Sequence, residues 1–112
     1  MSKTNYLGEF EIVVMASMVR LGDNAYGAAI LEDIERRADR LVSVGALHAT
    51  LARLEKKAYV QSKIGNATPV RGGRARRYYT PTAEGKAQLE RSARMFSVML
   101  KGLSGWGEGV FA

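Results

Sequence analysis

A mainly α-helical chain carrying one small β-hairpin is what this sequence predicts, on three observations. Apolar residues recur every three or four positions in three stretches of the first 57 residues. The spacing changes toward two on either side of the turn-rich run Gly65 to Gly73. Helical spacing then returns after Pro81 and persists to Leu103.

In chain order, residues 6–21 place Leu7, Phe10, Val14, Met18 and Leu21 at helical intervals. Ile12, Val13, Met15 and Val19 extend the apolar surface round most of the circumference, so this helix needs cover on two sides. Gly22-Asp23-Asn24 stops it. Asn24 is expected to cap a second helix, 25–38, whose buried side runs Tyr26, Ile30, Ile34, Ala38. After a short connection Ser43 is expected to cap a third helix, 44–57, buried along Leu47, Leu51 and Leu54. Two short helices so joined have the spacing of a helix-turn-helix.

Tyr59 to Ile64 and Arg74 to Thr80 read as two strands. The loop between them is too long for a tight turn, so the hairpin is expected to project as a wing. Pro81 ends the second strand and Thr82 caps a last helix, about 83–103. Its Leu89, Ala93, Phe96, Leu100 and Leu103 step by four and three, a heptad-like seam. The predicted fold is thus a winged helix-turn-helix domain plus a C-terminal dimerisation helix. The expected limits are 1–82 for the domain, 83–106 for the helix and 107–112 for a flexible, glycine-containing tail.

Charge is distributed unevenly. The formal net charge is +6, yet residues 1–57 carry eight basic and eight acidic groups. Residues 58–112 carry nine basic groups against Glu84, Glu90 and Glu108, so the whole excess lies there. Arg71, Arg74, Arg76 and Arg77 crowd the expected wing. A field concentrated in this way favours a polyanionic partner. The absence of cysteine excludes disulfides and thiolate metal sites. One histidine, His48, and carboxylates scattered on wet helix faces offer no set of positioned groups for catalysis or for a metal. No cofactor is expected. Neither a membrane span nor an export signal is legible, which makes the cytoplasm the expected compartment.

Four short signatures occur in order: Tyr26-Gly27, Ser43-Val44-Gly45-Ala46-Leu47, Leu51-x-x-Leu54-Glu55, and Arg77-Tyr78-Tyr79-x-x-Thr82-x-x-Gly85. On these the chain resembles the PadR-like family of transcriptional regulators over about residues 7–100. The resemblance implies a homodimer that binds a roughly palindromic operator in double-stranded DNA, usually as a repressor, often under small-molecule control. It looks like the short subgroup that dimerises through a single helix pair. Two positions depart from the family pattern: His48 stands where a tyrosine is usual, and Ala58 where a glycine is usual.

A helix entering the major groove presents its N-terminal residues to base edges. The third helix would present Gly45, Ala46, His48, Ala49 and Arg53. Ala49 or Thr50 could meet a thymine methyl, while His48 reads equally as a DNA contact or as a plain surface residue. Tyr26 and Ser43 stand at helix starts, where amides and dipole favour phosphate. The four wing arginines would hold further phosphates. Leu7, Phe10 and Val14 of the first helix join the seam Leu89, Ala93, Phe96, Leu100 and Leu103 as expected dimer contacts. Some short relatives keep an apolar channel between subunits, with an aromatic residue of the last helix stacking on planar drugs. That resemblance points to Phe96, with Met15, Met18, Met95 and Met99 around it, as an effector pocket. The alternative to a regulator is a protein-interaction module whose basic wing meets an acidic partner.

Overall fold

The computed structural model describes residues 6–65 and 75–103. Arg71, Arg74, most of the expected wing loop, Trp106 and the expected tail 107–112 fall outside the described residues. The elements are α1 (Glu9–Leu21), a 3-10 turn at Gly22–Asn24, α2 (Gly27–Ala38), α3 (Val44–Lys56), β1 (Val60–Ile64), β2 (Arg77–Pro81) and α4 (Ala83–Leu100).

Helix α1 starts at Glu9 because extended Gly8 is its N-cap, and the Glu11 carboxylate accepts from the Gly8 amide at 2.8 Å. Acidic Glu9 and Glu11 also sit at the positive end of the helix dipole. It is the central element, packed against α2, α3, α4 and β2. That position accounts for its apolar circumference: Val14, Met15 and Met18 are fully enclosed. Around them close Ile30 and Ile34 of α2, Leu47, Leu51 and Leu54 of α3, Val60 of β1 and Tyr79 of β2.

The second helix begins two residues later than its expected start at 25. Asn24 belongs to the 3-10 turn, and Tyr26, in extended geometry, is the N-cap without a side-chain hydrogen bond. The cause lies in Ala25 and Tyr26, which are drawn into the sheet. Tyr26 bridges Tyr78, and the Tyr79 amide donates to the Ala25 carbonyl at 2.8 Å. Ser43 caps α3 as expected, its Oγ accepting from the Ala46 amide at 3.0 Å.

The strands pair antiparallel from Val60↔Pro81 to Ile64↔Arg77. Between α3 and β1 the chain reverses at Ala58, which holds φ +66°, a left-handed value that favours glycine. The Thr82 hydroxyl ties this reversal to α4: it donates to the Ala58 carbonyl at 2.8 Å and accepts from the Gly85 amide at 3.0 Å. Further along α4 the Leu7 amide donates to buried Ser92 Oγ at 2.9 Å. These contacts fix the first half of α4. From Ala93 onward its apolar side chains lose cover, with Phe96, Val98 and Met99 exposed.

Candidate nucleic-acid interface

The outer side of α3 is set by helical periodicity. Leu47, Thr50, Leu51 and Leu54 are buried, which turns Gly45, Ala49, Ala52 and Lys56 outward, flanked by Val44, Ala46, His48 and Arg53. Of the residues expected at a DNA face, Ser43, Gly45, Ala46, His48, Ala49 and Arg53 are all exposed. Thr50 is not, and cannot meet a base. The head of α2 lies beside this surface: Gly27, Ala28, Leu31, Val44, Leu47 and His48 line one groove of about 240 Å³.

The wing root joins the same surface through aromatic contacts. Tyr26 and Tyr78 pack edge to face with centroids 5.7 Å apart, and the Arg76 guanidinium lies 4.2 Å from the Tyr26 ring centre. Arg76 is thereby stationed at the N-terminus of α2, where free helix amides face outward. Arg77 goes elsewhere. Successive residues here alternate in direction, and its Nη1 donates to Ser62 Oγ at 2.9 Å, while Ser62 donates to Glu55 Oε2 at 2.7 Å. The two described wing arginines therefore have different settings.

Arg53 also has a local engagement. Its Nη2 donates to Thr50 Oγ1 at 3.1 Å and its Nε stands 4.0 Å from Glu11 Oε2. Lys57 Nζ donates to the same carboxylate oxygen at 2.9 Å. Burial alone would raise the Glu11 carboxyl. The Gly8 amide, the Lys57 hydrogen bond and the charges of Lys57 and Arg53 outweigh it and hold the group below its ordinary value. The sequence reading missed Glu11 because its partners are some 40 residues away in the chain. It also missed Val44 and Leu41, apolar residues that the pattern would place inside. Both are exposed, at 57% and 92%.

The expected dimer and effector residues separate into two groups. Leu7, Val14, Met15 and Met18 are corrected here: the chain's own core encloses them, because α1 is the hub of the domain. Leu89 and Phe10 pack partly against that core, and the Arg40 guanidinium lies 5.0 Å from the Phe10 ring centre. Ala93, Phe96 and Leu103 are exposed, and Leu100 is half-buried. Met95 and Met99 line an open groove of about 340 Å³ with Tyr6, Arg91, Arg94 and Val98. Phe96 is 39% exposed and is not in the lining of that groove. Among the described residues no group of His, Cys, Asp or Glu could hold a metal ion, and no helix is long and apolar enough to cross a membrane.

A capped helix presented beside a second helix N-terminus, with a hairpin rooted at the same edge, defines a winged helix-turn-helix protein. The Transcriptional regulator PadR-like family matches residues 17–91, and the chain belongs to that family of DNA-binding transcriptional regulators, which are not enzymes. Solved structures agree. A PadR family transcription regulator from hypervirulent Clostridium difficile R20291 is 27% identical, with TM-score 0.71, over 82% of this chain and 91% of that one. A transcriptional regulator from Clostridium thermocellum is 25% identical with TM-score 0.67, over 80% and 81% of the two chains. A PadR-like transcription factor from Bacteroides fragilis shares the fold at 23% identity and TM-score 0.66, over 80% and 82%. No curated protein matches the chain.

Proposed function

We propose that the protein is a cytoplasmic homodimeric repressor that binds a palindromic operator and responds to a small apolar or aromatic ligand. The observation that carries the dimer is the second half of α4. Phe96 and Met99, three positions apart on one side of α4, are exposed on a helix whose first half is firmly docked. Val98 is exposed on another side, and Leu103 is exposed beyond the helix end at Leu100. An amphipathic helix with a bare apolar side gains most by pairing with a copy of itself. Twofold symmetry then sets two copies of α3 about one duplex turn apart, roughly 34 Å, so that both half-sites are read at once.

In this reading Ser43 and Tyr26 receive phosphates at the starts of α3 and α2. Gly45, Ala46, His48, Ala49 and Arg53 approach the major groove, and Arg71, Arg74 and Arg76 grip the flanking backbone, with Arg77, held by Ser62, adding less. Ala93, Leu100 and Leu89 complete the helix pair, with Phe10 at its margin. The groove at Met95 and Met99 is where a planar apolar effector would enter, since methionine adapts to varied shapes.

The test combines sedimentation with footprinting on the duplex upstream of the protein's own gene. The purified chain should sediment as a dimer at micromolar concentration and protect a symmetric site. Met99→Asp should weaken both behaviours, because Met99 is 68% exposed and its loss leaves the monomer core intact. A monomer at that concentration, or equal weak affinity for every duplex, overturns the proposal.

A further inference from the structure

The outward side of α3 is short of the groups that read bases by paired hydrogen bonds. Arginine on guanine, and asparagine or glutamine on adenine, are the usual bidentate readers. From Val44 to Ala52 the exposed positions offer only Val44, Gly45, Ala46, His48, Ala49 and Ala52. Arg53, the arginine of the same helix, is drawn sideways to Thr50 and Glu11. A helix so equipped discriminates chiefly by shape and apolar contact.

One apolar group stands out. Val44 is the first residue of α3 and is 57% exposed, directly after the Ser43 cap. It borders the groove shared by Gly27, Ala28 and His48, on the side where the head of α2 would meet the duplex. Being β-branched, its side chain is stiff, so two methyl groups are held out at little entropic cost. Gly45, next to it, has open space around its α-carbon, which leaves the backbone room to approach.

We propose that Val44 reads a thymine in each half-site through the thymine 5-methyl group. That methyl is the one apolar feature on the major-groove edges of the four base pairs. The inference rests on the proposed operator binding and adds to it the base and the residue that reads it. Ala49, also exposed, carries a single methyl and is the competing reader.

The test begins with selection of binding sequences by the full chain from a random duplex library. The winning duplex is then remade with deoxyuridine at each thymine in turn, in both half-sites, which removes only the methyl. One symmetric position should weaken wild-type binding about fourfold per half-site, the effect of exposing one methyl. Val44→Ser should bind the thymine duplex as weakly as wild type binds the deoxyuridine one, and should be insensitive to the exchange. If every deoxyuridine duplex binds like its parent, the inference fails while operator binding stands. If Val44→Ser keeps full sensitivity, Val44 is not the reader. A library that yields no preferred sequence removes the operator reading itself, and this inference with it.

Discussion

Gly85, in the first turn of α4, lies directly against the carbonyl of Tyr59. A Cβ placed there would overlap that carbonyl and come within 3.1 Å of Met15 Cε. The contact joins three parts of the fold: the terminal helix, the reversal before the hairpin and the core of α1. Thr82 holds the approach from the other side, since its amide donates to the Tyr59 carbonyl at 3.0 Å. Gly85→Ala must therefore push α4 away from the hairpin. The expected cost is about 2–3 kcal/mol, of the size seen when a packed core is overfilled, which is a fall of roughly 10–20 °C in Tm for a domain of this size. Thermal unfolding followed by circular dichroism checks it. A Tm within a degree or two of wild type would mean that the helix has freedom the packing denies.

The same junction contains a residue in an unfavourable backbone state. Ala58 has φ +66° and is held there by the Thr82 hydroxyl on its carbonyl. A left-handed residue with a Cβ costs roughly 1–2 kcal/mol relative to glycine, and glycine's greater freedom in the unfolded chain returns part of that. Ala58→Gly should stabilise the protein by about 0.5–1 kcal/mol net, measured as a shift in urea midpoint at unchanged slope. Ala58→Val should move the midpoint the other way. Loss of stability in Ala58→Gly would show that the reversal carries no strain.

These two positions also mark how far the sequence can be read. Helical periodicity reports buried stripes, so the order of elements, the Ser43 and Thr82 caps and the core leucines of α3 were all legible. The resemblance has glycine usual at the position of Ala58, and the backbone there has the shape that glycine prefers. Periodicity does not say which partner covers an apolar residue. The surplus on α1 suggested a second subunit, whereas α2, α3, α4 and β2 of the same chain enclose Leu7, Val14, Met15 and Met18. Charge pairing across distance is equally invisible in one dimension, which is why Glu11 with Lys57 and the cluster on Asp33 emerge only in the fold. Asn24 shows a third limit: its capping chemistry is real, but the pairing of Tyr26 with Tyr78 decides where α2 starts.

Asp33 gathers three arginines. Arg20 from α1 makes the nearest ion pair, and Arg37 and Arg36 approach from its own helix at 3.1 and 3.6 Å. The Arg20 hydrogen bond leads in lowering the Asp33 carboxyl to about 2; burial opposes it, and Ser17, the Arg20 charge and Arg37 assist. Because the folded value lies below the unfolded one, this contribution is complete above about pH 4 and disappears as pH falls toward 2. The guanidinium groups covering Asp33 stand partly in water, so screening limits the effect to the order of 1 kcal/mol. The stability difference between wild type and Asp33→Asn, from urea unfolding, should be largest near neutral pH and shrink steadily below pH 4. A difference that stays constant down to pH 2.5 would show that the carboxylate charge is not what matters at this site.

Arg76 and Arg77 are neighbours in sequence with opposite tasks, and salt dependence separates them. If a dimer neutralises about eight phosphates, log K falls with log salt at a slope near −7. Arg76, above the Tyr26 ring at the head of α2, has no acidic partner among the described residues. Its charge is free for phosphate, once in each subunit. Arg76→Ala should therefore make the slope shallower by about 1.8 units. Arg77 is held by Ser62, which also binds Glu55, so part of its field is already balanced within the protein. Arg77→Ala should change the slope by less than about half as much. Arg76→Lys keeps the charge while weakening the stacking on Tyr26, and so should lower affinity at every salt concentration with the slope retained. Anisotropy titrations of one labelled duplex between about 50 and 300 mM salt measure all three variants. Equal losses for Arg76→Ala and Arg77→Ala would mean that the Ser62 contact breaks on DNA binding and that both arginines reach the backbone.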